Sequence, residues 1–212
     1  MKPILTITHL SKEFTKPLDI IAKFLNKLGQ DHREETVHAV DNVSFTVQRG
    51  EIVGIVGESG CGKSTLGRMV AGILLPTRGT VEFDSSQTEE SNLPNALQTQ
   101  MIFQDPFSSL NPRKRVIDII TEAPIFHRLI SRKERAKFAA DMLERVGLDP
   151  DSLFRYPHQF SGGQRQRIGI ARALAVSPEL LVCDESIAAL DVSIQAQIIN
   201  LFVKLRDEYN LT

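Results

Sequence analysis

Several features are scarce in this chain of 212 residues, and each scarcity excludes a class of protein. Its two cysteines, Cys61 and Cys183, are too few for a disulfide framework or a four-ligand zinc site. Its formal net charge of −1 is not that of a protein that binds nucleic acid through the phosphates, so we expect no nucleic-acid partner. No apolar run approaches the roughly 18 residues of a membrane span, and no signal peptide opens the chain. These absences predict a soluble, cytoplasmic chain.

What the sequence does contain is a phosphate-binding motif at residues 57–65, Gly-Glu-Ser-Gly-Cys-Gly-Lys-Ser-Thr. It satisfies the pattern G-x-x-x-x-G-K-[ST], and it lies between an apolar run at 52–56, a predicted strand, and apolar residues at helical spacing. Glycines let such a loop turn its N–H groups inward, and a helix beginning near Lys63 adds the positive end of its dipole. We expect Lys63 to reach the β- and γ-phosphates of a nucleotide and the Ser64 hydroxyl to bind Mg²⁺.

The remainder of the chain alternates predicted strands with predicted helices, which indicates an α/β fold. Phe14, just after the first strand, is as compatible with stacking on a nucleobase as with a place in the core. The amphipathic segment at 17–29 is compatible with packing on its own domain or with docking to a membrane or a partner subunit. The predicted strands are 4–10, 37–47, 80–83, 100–103 and 180–183, and a variable loop is predicted at 84–95.

The pattern becomes helical between residues 111 and 176, which predicts an inserted α-helical subdomain. Apolar residues at helical spacing predict helices around 116–123 and 132–146. Ser-Gly-Gly at 161–163 precedes a predicted helix over 165–175, and a serine there favours an N-cap whose N–H groups bind an anion. A last helix is predicted over 192–209.

Two acidic residues, Asp184 and Glu185, follow the last apolar strand. Downstream of a phosphate loop, Asp184 suits Mg²⁺ and Glu185 suits the polarisation of an attacking water. Alternation along an extended chain points the two side chains apart, so we expect different roles for them.

Taken in order, these motifs resemble the ATP-binding-cassette ATPase family over essentially the whole chain. The resemblance is carried by the phosphate loop at 57–65, Gln104, Ser-Gly-Gly-Gln at 161–164, the strand and acidic pair at 180–185, and Asp191. Residues 101–113, Met-Ile-Phe-Gln-Asp-Pro-Phe-Ser-Ser-Leu-Asn-Pro-Arg, and 191–197, Asp-Val-Ser-Ile-Gln-Ala-Gln, are similar to the oligopeptide, dipeptide and nickel importer ATPases.

The resemblance implies a P-loop ATPase core, with a RecA-like sheet and an N-terminal antiparallel β-subdomain. It implies one nucleotide-binding domain over 1–212, with a core at 1–106 and 177–212 and a helical subdomain at 107–176. ATP and Mg²⁺ would be its cofactors. Catalysis would use Lys63, Gln104 and Glu185, and Mg²⁺ would be held by Ser64, Gln104 and Asp184. The nucleotide would contact Phe14 under the adenine, then Gly57, Glu58, Ser59, Gly60, Cys61, Gly62, Lys63, Ser64 and Thr65, and, from a facing domain, Ser161, Gly162, Gly163, Gln164 and Asp191.

The same resemblance implies an ATPase subunit that energises an importer of peptides or nickel. Such a subunit lies at the cytoplasmic face of the inner membrane, as a peripheral protein. Its partners would be transmembrane permease subunits, a second ATPase in a homodimer or heterodimer, and, indirectly, an extracytoplasmic solute-binding protein.

The chain departs from the family pattern in three places. Phe160 stands where leucine is usual, and Ala188 replaces a serine whose hydroxyl would bond across the dimer. The family's switch histidine would lie on a strand beyond Leu211, and all five histidines here precede Glu185, so we expect a chain truncated before that strand. Two alternatives stay open: a nucleotide-binding fragment without significant hydrolysis, and a non-transport cassette of DNA maintenance, although the heptads of its coiled coils are missing.

Overall fold

The computed structural model of the chain describes residues 3–16, 35–84, 95–105, 109–185 and 191–212. The predicted helix at 17–29 and nearly all of the predicted loop at 84–95 lie outside the described residues. Within the described ranges, no helix combines the length and the apolar character needed to cross a bilayer.

The N-terminal part of the chain forms a three-stranded antiparallel sheet in the order β2-β1-β3. The strands are β1 at Leu5–Lys16, β2 at Glu35–Val47 and β3 at Arg78–Phe83. Leu5 and Ile7 of β1 are buried and pack in one cluster with Leu66 and Met69 of the helix that follows the phosphate loop. The predicted strands at 4–10, 37–47 and 80–83 are thereby confirmed, as is the antiparallel N-terminal subdomain.

Two parallel strands place the acidic pair beside the carboxyl end of β4. Helix α1 spans Lys63–Val70, a short helix α2 spans Asn95–Gln98, and the strands are β4 at Thr99–Ile102 and β5 at Leu180–Cys183. Thr99 lies opposite Leu180, and Ile102 lies opposite Cys183. Because the strands are parallel, their carboxyl ends meet at one edge, which is where ligands bind in α/β folds.

Between β4 and β5 the chain is helical, as predicted. Helix α3 spans Val116–Phe126, α4 spans Arg135–Arg145 and α5 spans Gly162–Leu174, with two short 3₁₀ helices at Pro150–Phe154 and Pro157–Gln159. Their apolar faces form one cluster in which Ile120, Leu143 and Ile168 have no exposed surface. The last helix, α6, spans Val192–Tyr209 and joins this cluster through Ile198 and Leu205. Each such side chain contributes about 1.5–3 kcal/mol when it is fully buried.

The strand predicted at 52–56 is wrong. Residues 51–57, all of them described, form neither helix nor strand, and Ile52 and Val56 are 61% and 96% exposed. A cavity of about 430 Å³ lies between this segment, β5 and α6. Along β5, the N–H of Thr212 donates to the carbonyl of Glu179 and the carbonyl of Thr212 accepts from Leu181.

Candidate functional site

The phosphate loop ends in α1, which begins at Lys63 as the sequence predicts. Gly62, the residue before the helix, has a φ of 98°, and a Cβ there would lie 2.1 Å from the carbonyl oxygen of Ala39 on β2. Only glycine fits this position, and the contact fixes the loop against the N-terminal sheet. Among the described side chains none caps the start of α1, so its N–H groups and dipole favour an anion.

Lys63 folds back over its own loop. Its Nζ donates to the carbonyl oxygens of Gly57 at 2.9 Å and Glu58 at 2.7 Å. The same ammonium lies 4.0 Å from Oε1 of Glu185, and its side chain is only 20% exposed. A single positive charge is therefore held between the loop and the acidic end of β5, where it can meet the oxygens of a polyphosphate.

Ser64 and Asp184 form the second contact between α1 and β5. The Ser64 hydroxyl donates to Oδ1 of Asp184 at 2.7 Å, and Asp184 is 8% exposed. The backbone N–H of Asp184 donates to Ile102 of β4 at 3.0 Å, which fixes the carboxylate at the edge of the sheet. Hydroxyl and carboxylate oxygens are the donors that Mg²⁺ prefers, so these two residues fit it.

No group of three or more histidine, cysteine, aspartate or glutamate side chains that could hold a metal occurs among the described residues.

Gln104 and Glu185 meet at the ends of β4 and β5. Nε2 of Gln104 donates to Oε2 of Glu185 at 2.7 Å. Glu185 has a φ of 43°, a left-handed conformation that costs a residue other than glycine roughly 1–3 kcal/mol and that clusters at functional sites. Asp184 and Glu185 bond to different partners, Ser64 and Gln104.

The signature residues begin helix α5. The Ser161 hydroxyl accepts from the N–H of Gln164 at 3.3 Å, and Oε1 of Gln164 accepts from the N–H of Ser161 at 3.0 Å. This capping box confirms the predicted N-cap, but the helix begins at Gly162 rather than at Arg165, because glycine at the first turns is tolerated once the cap is made. Among the described residues, Ser161 and Gln164 form no hydrogen bond with the group of Lys63, Ser64, Gln104, Asp184 and Glu185.

The remaining predicted site residues lie around this group rather than in it. Phe14 lies opposite Val37 and is 45% exposed, with Nζ of Lys12 5.3 Å from its ring centre, so its ring is open to a ligand rather than buried in the core. Asp191 precedes α6, and its carbonyl accepts from the N–H of Ile194 at 2.9 Å. Ser59, Gly60 and Cys61 form the exposed tip of the loop, and Thr65 and Gly163 lie in the first turns of α1 and α5.

The sequence did not indicate three contacts that hold these elements. They are the approach of Gly62 to Ala39, the hydrogen bond from Arg172 of α5 to the carbonyl of Ser109 at 2.5 Å, and the bonds of Arg167 to neighbouring helices. Each joins residues far apart in the chain, so no spacing rule could have found them.

Many known proteins are similar in sequence to this chain. The oligopeptide transport ATP-binding protein AppF of Bacillus subtilis (strain 168) is 54% identical over 83% of this chain and 55% of its own length. The oligopeptide transport ATP-binding protein OppF of the same strain is 47% identical over 99% of this chain and 65% of its own length. The chain thus spans less than two thirds of either relative.

A solved structure shares the fold. The dimeric post-hydrolysis state of the ATP-binding cassette MJ0796, bound to ADP and Pi, matches with a TM-score of 0.75 at 29% identity, over 96% of this chain and 83% of that one. The family described as ABC transporter matches residues 40–188, which include the phosphate loop, the signature and the acidic pair. This chain therefore belongs to the ABC transporter family, and its fold is that of an ATP-binding cassette.

Proposed function

We propose that this chain binds ATP with Mg²⁺ and hydrolyses it as the energising subunit of a peptide importer. The observation that carries the proposal is the group formed by Lys63, Ser64, Gln104, Asp184 and Glu185, which gathers a cation, a hydroxyl, an amide and two carboxylates at one edge. Peptides are proposed as the solute because both relatives named above are oligopeptide transport proteins. Nickel is the alternative solute that the motif at 101–113 leaves open.

The five residues have four roles. Lys63 and the loop N–H groups bind the phosphates, and Ser64 and Asp184 hold Mg²⁺, which neutralises phosphate charge when it is bound. Glu185 takes the proton of the attacking water, because its partly exposed carboxylate lies 4.0 Å from the ammonium that meets the phosphates. Gln104 holds that carboxylate through its 2.7 Å hydrogen bond. Gln104 would also contact the water and the metal.

The residues around the group would complete the nucleotide site. The open ring of Phe14 suits an adenine, and residues 57–65 suit the phosphates. The signature at 161–164, together with Asp191, would face the nucleotide of a second cassette, because a helix start attracts an anion. The MJ0796 cassette, whose fold this chain shares, is dimeric. The second cassette would be either a copy of this chain or a related ATPase.

The domain plan and the cellular setting belong to the same proposal. Residues 107–176 would form the helical subdomain and residues 1–106 and 177–212 the ATPase core. Helices α3, α4 and α5 pack together, and Ile102 of β4 and Ile198 of α6 join them across that boundary. The chain would lie at the cytoplasmic face of the membrane against permease subunits, which receive solute from an extracytoplasmic binding protein.

The proposal is tested by MgATP binding and hydrolysis of the purified chain. Lys63→Ala is the blank, and Lys204→Ala, on the exposed face of α6, is the matched control. We expect Lys63→Ala to weaken ATP binding by roughly 10- to 100-fold, the loss of a charge-assisted hydrogen bond, and to abolish turnover. Equal ATP affinity in wild type and Lys63→Ala would remove the phosphate loop from its role. Tight ATP binding without turnover would show that the chain binds nucleotide and would refute the proposed hydrolysis.

The peptide assignment needs its own measurement. After reconstitution in vesicles with its permease and binding protein, hydrolysis should rise when oligopeptides are added and stay unchanged when Ni²⁺ is added. Stimulation by Ni²⁺ alone would reverse the assignment.

A further inference from the structure

The signature helix α5 meets the first turns of α6 in a contact that none of the roles above uses. We propose that Ile194 and Gln197 of α6 are positioning residues for the signature. Ile194 would act by packing against Gly163, and Gln197 by accepting a hydrogen bond from Arg167. The inference rests on the proposed function, because it concerns where the signature residues stand during hydrolysis.

Gly163 lies so close to Ile194 that a side chain does not fit between them. A Cβ on Gly163 would lie 2.8 Å from Cγ2 of Ile194 and 3.5 Å from its Cδ1. Gly163 is buried, and its φ is outside the left-handed region, so the backbone conformation does not demand glycine there. Isoleucine in a helix holds essentially one χ1 rotamer, so Cγ2 cannot swing aside. Close approach to α6 is therefore the reason for glycine at this position.

Arg167, one turn further along α5, also joins α5 to α6. Its Nη1 donates to the carbonyl of Val146, the residue after α4, at 2.7 Å. Its Nη2 donates to Oε1 of Gln197 on α6 at 3.0 Å. A guanidinium presents its donors in a rigid planar fork, so Arg167 fixes α4, α5 and α6 relative to one another.

The start of α6 follows the acidic end of β5 in the chain. Asp191, the residue before α6, lies six positions after Glu185, and its carbonyl accepts from the N–H groups of Ile194 and Gln195 at 2.9 Å each. Ile194 thus stands in the first turn of the helix that follows the proposed general base. The position of the signature is set by this turn, and a displacement of α6 is transmitted to Gly163 directly.

The role of Ile194 is tested by enlarging the side chain at Gly163 and shortening the one at Ile194. We expect Gly163→Ala to lower the kcat for MgATP by about 10- to 100-fold, the cost of a small misplacement, with KM unchanged because the nucleotide binds to the phosphate loop. Adding Ile194→Ala removes both Cγ2 and Cδ1 and should restore kcat to that of Ile194→Ala alone. Ile194→Val is the matched control: it removes Cδ1 but keeps Cγ2, so the double variant should stay slow.

If neither substitution at Ile194 restores kcat, the role of Ile194 is overturned, and glycine is needed at 163 for approach to the nucleotide.

Gln197 is tested in parallel. Gln197→Leu removes the acceptor and should lower kcat, whereas Gln197→Glu keeps it and should leave kcat close to wild type. Equal kcat in the two Gln197 variants would overturn that part of the proposal.

Thermal unfolding of the same variants separates this inference from the proposed function. Gly163→Ala should lower Tm when residue 194 is isoleucine or valine, and should not lower it when residue 194 is alanine. Absent hydrolysis in the wild-type chain would refute the proposed function alone, and the Tm values would still decide the contact. An equal drop in Tm in all three backgrounds would overturn the contact itself.

Discussion

Two regions of the molecule differ in how far they expose their apolar side chains. One is the helical region formed by α3, α4 and α5, and the other is the segment at 51–61. In the helical region Ile120, Leu143 and Ile168 have no exposed surface, whereas Val56 ahead of the phosphate loop is 96% exposed. Helices bury one another's apolar faces and so contribute stability. The 51–61 segment instead leaves its backbone and glycines open beside Lys63. Stability and chemistry therefore depend on different parts of this cassette, and substitutions in the two parts should have separable effects.

The largest expected effect is on chemistry alone. Glu185→Gln keeps the size of the side chain but removes the base, so we expect kcat for MgATP to fall by about 10²–10⁴-fold. ATP affinity and the free energy of unfolding should stay close to wild type. Glu134→Gln, a fully comparable change at the start of α4, is the control and should hydrolyse normally. Near-normal turnover by Glu185→Gln would remove this residue from the role of general base.

The second expected effect is on stability alone. Leu143→Ala empties a fully buried position in the helical cluster and should lower the free energy of unfolding by about 2–5 kcal/mol. Leu75→Ala is the same chemical change at a side chain that is 79% exposed, and it should cost less than about 0.5 kcal/mol. Urea unfolding measures both, and ATP affinity should be unchanged wherever the variants are folded. Equal losses at the two leucines would contradict the division between the regions.

A third substitution affects the boundary of the loop, where structure and chemistry meet. Gly62→Ala forces a Cβ to within 2.1 Å of the Ala39 carbonyl in a left-handed conformation. Gly60 is also left-handed, with a φ of 83°, but a Cβ there meets open space. Gly60→Ala should therefore cost only the conformational term of about 1–2 kcal/mol, and Gly62→Ala should cost more and weaken ATP binding. Comparable unfolding free energies for the two variants would show that the contact with Ala39 gives way.

The helices could be predicted from the sequence because their signals are local. The period of apolar residues gave α6 with both its ends, Val192 and Tyr209, and Ser161 marked the cap of α5. A helix makes its hydrogen bonds within itself, so the pattern needs no distant partner. The strand predicted at 52–56 needed one, and residues 51–57 pair with none of the described strands. An apolar run specifies a strand only together with the edge that receives it.

The same distinction applies to the candidate site. Lys63, Asp184 and Glu185 could be proposed from the sequence because a motif or a strand end marks each of them. Their convergence with Gln104 follows from the parallel pairing of β4 with β5, which brings two carboxyl ends to one edge. The contact of Gly163 with Ile194 carries no such mark. Both residues stand in ordinary helical positions, and only the packing of α5 on α6 joins them.

The smallest expected effect concerns the exposed segment at 51–61. Val56→Ser should change the free energy of unfolding by no more than about 0.5 kcal/mol, because the side chain has almost no contacts to lose. The matched control is Val116→Ser at the start of α3, where the side chain has no exposed surface and the loss should be about 2 kcal/mol or more, since a hydroxyl replaces buried apolar atoms. Urea unfolding of the two variants measures the difference. A loss at Val56 as large as that at Val116 would mean that the 52–56 segment is buried in solution. The segment would then contribute stability as the helices do, and the separation of stability from chemistry would hold only from Gly57 onward.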